Sequence, residues 1–106
     1  MKTDRELLEL AAKAAGMSTT EFATHSITRW HKRDDGTHTA WNPLTDDGDA
    51  LRLAVRLSLL VDVTAFSVMV IANGDIRAKE KHNGDPYAAA RRAITRAAAA
   101  IGEGMK

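Results

Sequence analysis

Four histidines, His25, His31, His38 and His82, are the side chains of this 106-residue chain that most invite chemistry. Imidazole ligates metals and moves protons near neutral pH. His31 and His38 flank Asp34-Asp35-Gly36, but the hairpin reading below sets them opposite Ala40 and Arg33 rather than each other. Their spacing supplies neither a closed ligand set nor second partners to orient one, so they are read as polar strand positions. Asp46, Asp47, Asp49 and Asp85 could hold a cation or act as paired acids. Each also stands where a helix begins, and there a carboxylate satisfies orphan N–H groups and complements the dipole. No Asp-x-Asp-x-Asp-Gly loop with a closing Glu occurs. The chain has no nucleophile elbow, P-loop or Gly-x-Gly-x-x-Gly, and Gly36, Gly48, Gly74 and Gly84 are isolated turn or cap residues. Ser18, Ser26, Ser58 and Ser67 sit in no activating motif, and cysteine is absent, which removes thiolate nucleophiles, thiolate metal sites and disulfides. The expectation is a protein that is not an enzyme and uses no metal or cofactor.

Basic residues give the remaining signal. Arg77, Lys79 and Lys81 are expected on one face of an edge strand, and Arg91, Arg92 and Arg96 on the last helix. Arg29, Lys32 and Arg33 form a third set on the first hairpin. Converging, these sets would contact phosphates with strong salt dependence. Alternatively, alternating Lys on an edge strand blocks edge-to-edge aggregation, and Glu80 dilutes the patch. Trp30 and Trp41 could stack on bases. With two Trp, one Tyr and two Phe in the whole chain, an aromatic pair inside the core is the preferred reading.

The elements that must position these residues follow from pattern. Thr3-Asp4-Arg5-Glu6 is a capping box, apolar residues recur at helical spacing through Ala14, and Gly16 stands at C′, so residues 4–15 are predicted as a helix. Residues 17–24 read as a connector. Residues 26–33 and 37–41 alternate around Asp35-Gly36, a hairpin signal whose two-residue turn would place Trp30 opposite Trp41. After Pro43, the stripe Ala50, Leu53, Ala54, Leu57 and Leu60, widened by Leu51, Val55 and Leu59, predicts a helix buried over much of its circumference. Asp49 can support Arg52 on its remaining face. Residues 65–72 form an apolar run expected to be a central strand covered on both sides. Asn73-Gly74 is a second hairpin turn, and an unbroken two-residue register sets Arg77, Lys79 and Lys81 opposite Val70, Val68 and Phe66. Asp85-Pro86 then opens an Ala-rich helix over 87–101, stopped by Gly102.

The resulting order, α-β-β-α-β-β-α, defines an α+β fold: a four-stranded, mainly antiparallel sheet with helices packed on it. One domain is expected over 1–106, with residues 1–25 as N-terminal helix and connector and 26–102 as the ββαββα core. Fifteen Lys and Arg against fourteen Asp and Glu leave a net charge of +1, which argues against a nucleic-acid coat protein and against an acidic disordered tail. No apolar run approaches the roughly 20 residues of a membrane span, and the polar amino end lacks a secretory apolar region. A cytoplasmic protein with no membrane partner is expected.

Two stretches carry a resemblance. Trp41-Asn42-Pro43-Leu44-Thr45-Asp46-Asp47-Gly48-Asp49-Ala50, followed by an apolar helix, resembles the W-N-P-x-x-D segment of the phage ABA-sandwich domain proteins. Asp85-Pro86-Tyr87-Ala88-Ala89-Ala90-Arg91-Arg92-Ala93-Ile94 is similar to their final helix. The match spans roughly residues 27–101. It implies an α/β/α sandwich with helices on both faces of the sheet and a phage or prophage origin, and it carries no catalytic residues. The functional expectation is an accessory protein that binds a protein partner in a bacterial host cell, one form being modulation of a host protein or defence complex. The alternative is a small nucleic-acid-binding module using the basic edge.

Overall fold

The computed structural model describes residues 2–17, 19–21, 29–32 and 38–105, with residues 19–21, 29–32 and 38 described as backbone only. Helix α1 spans Asp4–Ala14, strands β1, β2 and β3 span Thr19–Glu21, Arg29–Lys32 and His38–Trp41, and helix α2 spans Asp47–Arg56. Strands β4, β5 and β6 then cover Leu60–Val63, Ser67–Ala72 and Asp75–Lys81, before helix α3 at Pro86–Glu103. The α+β class and the helices expected at the two ends and in the middle of the chain are present. The strands form two antiparallel three-stranded sheets, β1-β2-β3 and β4-β5-β6, rather than a joined four-stranded one.

Both terminal helices follow their sequence signals. Thr3 caps α1: its hydroxyl accepts from the Glu6 N–H at 3.2 Å, and its own N–H donates to Glu6 Oε1 at 3.2 Å. Gly16 at φ +67° closes the helix with Met17 N–H donating to the Ala12 carbonyl, the Schellman arrangement that requires a left-handed residue at C′. Asp85 caps α3 by accepting from the N–H groups of Tyr87 and Ala88. Gly102 does not end α3, which runs one residue further and is capped by Gly104. Its purpose is proximity: a Cβ at Gly102 would overlap the Leu10 carbonyl of α1.

Helix α3 is the central pillar. It lies on β5 and β6, and α1 and α2 pack against it. Ala93, Ala97, Ala98, Ala99 and Thr95 are all buried, and such small side chains let neighbours approach on several sides at once. The buried Thr95 hydroxyl donates to the Arg91 carbonyl of its own helix, 2.8 Å away, so no polar group is stranded. Val68, Val70 and Ala78 meet α3 from the sheet, and Leu8 and Ala11 from α1.

Helix α2 is shorter and less buried than its sequence predicts. Ala50, Leu53 and Ala54 enter the core, but Leu51 and Val55 are 63% and 71% exposed. The helix stops at Arg56 in a second Schellman closure, with Leu59 N–H donating to the Ala54 carbonyl and Ser58 at φ +55°. Serine there is why the sequence hides the stop, and Leu60, expected on the helix, begins β4 instead.

In β2–β3, Trp30 lies across from Ala40 and Arg29 from Trp41. His31 meets Thr39 and His38 meets Lys32. The expected Trp30–Trp41 pair, and the pairing of His31 with Ala40 and His38 with Arg33, are therefore displaced by one residue. The paired numbers sum to 70 rather than the expected 71, a one-residue slip that moves each partner along by one. The Asp35-Gly36 turn itself, the strand residues 26–28, the side-chain burial of Trp30 and the placement of His25 and Arg33 lie outside the described residues. Trp41 is buried in the main core.

Candidate functional site

The corner at residues 41–49 is a structural joint. Trp41 and Asn42 are buried, as is Pro43. Asn42 Oδ1 accepts from the Leu44 N–H at 3.0 Å, and its own N–H donates to Asp49 Oδ2 at 3.0 Å. Asp46 caps α2 through the Asp49 N–H, and Asp49 also takes Arg52 at 2.8 Å, the i,i+3 pair expected from sequence. Asp47 Oδ1 receives Arg91 at 2.6 Å while Arg91 Nε donates to the Leu44 carbonyl. Asp46, Asp47 and Asp49 are thereby committed to holding chain to chain. Among the described residues, no group of three His, Asp or Glu side chains gathers as a metal set.

The basic residues separate into three places. Arg91 belongs to that corner. A register shift between Val70 and Ile71 places Ala78 opposite Val70 and Ile76 opposite Ile71, so Arg77 is the extra residue of a β-bulge. The bulge has a clear cause. Without it, Arg77 would face Val70 beneath the alanines of α3, where a guanidinium would be stripped of water. One inserted residue brings in Ala78 instead. It also corrects the expected pairing: Lys79 lies opposite Met69, and Lys81 opposite Ser67. Arg77 and the two lysines do not share a face.

Arg77 instead joins Arg92, Arg96 and Lys2 in a cleft of about 450 Å³ between β6, α3 and the start of α1. Every cation there has a carboxylate. Arg92 pairs with Asp4 at 3.1 Å, Lys2 with Glu103 at 2.7 Å, Arg96 with Glu80, and Arg77 more loosely with Asp75 at 3.9 Å. Glu80 and Glu103 line the cleft beside these cations while Asp4 and Asp75 pair from outside its lining, so each positive charge is already matched, which weakens the cleft's pull on a phosphate backbone.

The surface that sequence reasoning missed is the face of β4-β5-β6 turned away from α3. The register stacks three rows there: Leu60–Ile71–Ile76, then Asp62–Met69–Lys79, then Ser67–Lys81. Leu60 and Ile76 are 60% and 62% exposed, and Met69 and Ile71 are half-buried. Helices on both faces, as the resemblance implies, are not found among the described residues: the helices all stand on one side of this sheet. The expected two-sided cover of residues 65–72 fails for the same reason. The available signal was the alternation Leu60-Val61-Asp62-Val63, which suits a strand better than a helix. A second apolar groove, of about 770 Å³, runs beside α2, lined by Met17, Trp41, Leu51 and Val55 among others. Among the described residues, no helix is long and apolar enough to cross a membrane. Compared with protein-family models, curated proteins and solved structures, the chain finds no match.

Proposed function

We propose that the chain is a non-enzymatic binding protein whose partner is a protein, and that the open face of β4-β5-β6 is where that partner docks. The observation that carries this reading is the Leu60–Ile71–Ile76 row on a three-stranded sheet, with Leu60 and Ile76 exposed on either side of the half-buried Ile71. Large apolar side chains gathered on one face, with charges at the margin, suit protein contact. A phage or prophage accessory role in the cytoplasm of a bacterial host rests on the W-N-P resemblance, with modulation of a host protein or defence complex as its form.

Of the cations on the edge strand and the last helix, Lys79 and Lys81 are exposed and carry no ion pair among the described residues, and they are what supports the nucleic-acid alternative. Two phosphate contacts would give a salt slope near −2 and a loss of about tenfold between 50 and 200 mM salt. A tagged copy expressed in bacteria and purified with and without nuclease tests both readings. The expected result is a stoichiometric protein that survives nuclease and is lost on Ile76→Glu. Nuclease-sensitive material lost on Lys79→Glu/Lys81→Glu, with no protein retained, would overturn the proposal.

A further inference from the structure

We infer that the protein docking on the open sheet face is a second copy of this chain, related by a two-fold axis running along β5; this rests on that face being a protein-docking surface. The charges on this face select that arrangement. In the middle row, Asp62 on β4 and Lys79 on β6 flank Met69 on β5. Both charged residues are exposed, and neither has an ion-pair partner among the described residues. They stand two strands apart, about 9.6 Å, too far to satisfy each other.

Two sheets pack face to face about 10 Å apart with their strands roughly aligned. A two-fold axis parallel to β5, lying between the sheets, carries β4 of one copy over β6 of the other. Asp62 then faces the Lys79 position of the second copy, and the reverse holds at the other margin. Leu60 comes over Ile76, Ile71 over Ile71, and Met69 over Met69. An axis across the strands does the opposite. It lays β4 over β4 and β6 over β6, setting Asp62 against Asp62 and Lys79 against Lys79, or moves these charges onto the leucine and isoleucine row. The face is self-complementary in one arrangement only, as an isologous contact requires.

The contact is modest in size. A six-residue β5 gives a face about 20 Å long and three strands give about 14 Å of width, less than the roughly 800 Å² per partner of a standard interface. So small a contact is a weak, reversible one, and dimerisation is concentration-dependent.

Sedimentation equilibrium on the full chain from about 5 to about 500 µM tests the assignment. The expected result is a monomer–dimer equilibrium that Asp62→Lys and Lys79→Asp each weaken at least about tenfold, and that the double exchange restores to within about threefold. All these positions are exposed, so the variants keep the core. Because the chain has no cysteine, Met69→Cys supplies a unique thiol beside the axis, and a short bis-maleimide should join two copies through it in high yield. A wild type that stays monomeric throughout, a double exchange that fails to restore, or an absent Met69→Cys cross-link would overturn the inference. The docking-face reading fails separately: a monomeric wild type that still retains a protein lost on Ile76→Glu removes the second copy and keeps the face, whereas a monomer with no such partner removes both.

Discussion

The two faces of β4-β5-β6 invert the usual relation between size and burial. Under α3 lie Val68 and Val70, fully buried, with Ala72 and Ala78. On the other side stand Leu60, Ile71 and Ile76, which are larger and less buried. The difference lies in what each face meets. Helix α3 presents alanines, so its axis sits close and leaves room only for small residues below it. Among the described residues the open face meets no helix, and its larger side chains have no volume limit set from above. An apolar pattern says that a face seeks cover; residue size says how near the cover comes.

The close-packed side is broken most severely at Gly102. Its missing Cβ lets the α1 backbone at Leu10 touch α3, and Gly102→Ala must push the two helices apart. Overpacking against backbone should cost about 3 kcal/mol, read as a lowered denaturant midpoint. A loss under about 0.5 kcal/mol would mean that α1 slides freely on α3, and the account of α3 as a tightly clasped pillar would go.

The sheet faces separate next. Val70→Ala should cost about 2 kcal/mol, because a fully buried side chain leaves a cavity that rigid neighbours cannot fill. Ile76→Ala, 62% exposed, should cost about 0.5 kcal/mol when measured at concentrations where the chain is monomeric. Equal costs at both positions would mean that the second face is closed within one chain.

The parts legible in the sequence were those marked by a residue that backbone geometry singles out. The Thr3–Glu6 box, Gly16 and the Asp85-Pro86 start fixed both ends of α1 and the beginning of α3, and Asn73-Gly74, both at positive φ, made the second hairpin turn. The hidden features had no such marker. Ser58 adopts the conformation that glycine usually marks, so the leucines at 53, 57 and 60 read as one continuous helix. The bulge at Arg77 answers a tertiary demand, the need for a small residue beneath α3, which alternation within β6 cannot express. The candidate site was misread through these same two features. Without β4, Leu60 and Asp62 had no place on a sheet, and without the bulge Lys79 and Lys81 were grouped with Arg77. Arg91, Arg92 and Arg96 were correctly placed on the last helix, but their acidic partners lie 44, 88 and 16 residues away in sequence.

The two Schellman ends sharpen the comparison because the Ser58 turn is what delivers Leu60 to the open face. Ser58→Gly should stabilise the protein by about 1 kcal/mol or less, since glycine adopts positive φ without a Cβ penalty but loses more chain entropy on folding. Gly16→Ser should destabilise it by a similar amount, at a φ of +67°. Opposite signs in thermal melts are the expected outcome. A destabilising Ser58→Gly would show that the serine side chain holds the α2–β4 connection by something other than backbone conformation.

The smallest effect is confined to the packed side, at the start of α1. The Thr3 N–H and hydroxyl, 3.2 and 3.1 Å from Glu6 Oε1, hold the Glu6 carboxyl below its ordinary value of 4.5. A group whose pKa is lower when folded binds its proton more readily when unfolded, so its contribution is present above the unfolded value and fades as pH falls through the folded one. The difference in melting temperature between wild type and Glu6→Ala should therefore be constant at neutral pH and shrink as the pH falls below the ordinary carboxyl value of 4.5. Glu6→Gln keeps a capping oxygen without the charge and should lack that pH-dependent part. Hydrogen exchange at Leu60, Ile71 and Ile76 should be unchanged between wild type and Glu6→Ala, because the open face has no contact with the α1 cap. Faster exchange there would mean that α1, α3 and the sheet open together as one cooperative unit, and the two faces would then differ in packing but not in stability.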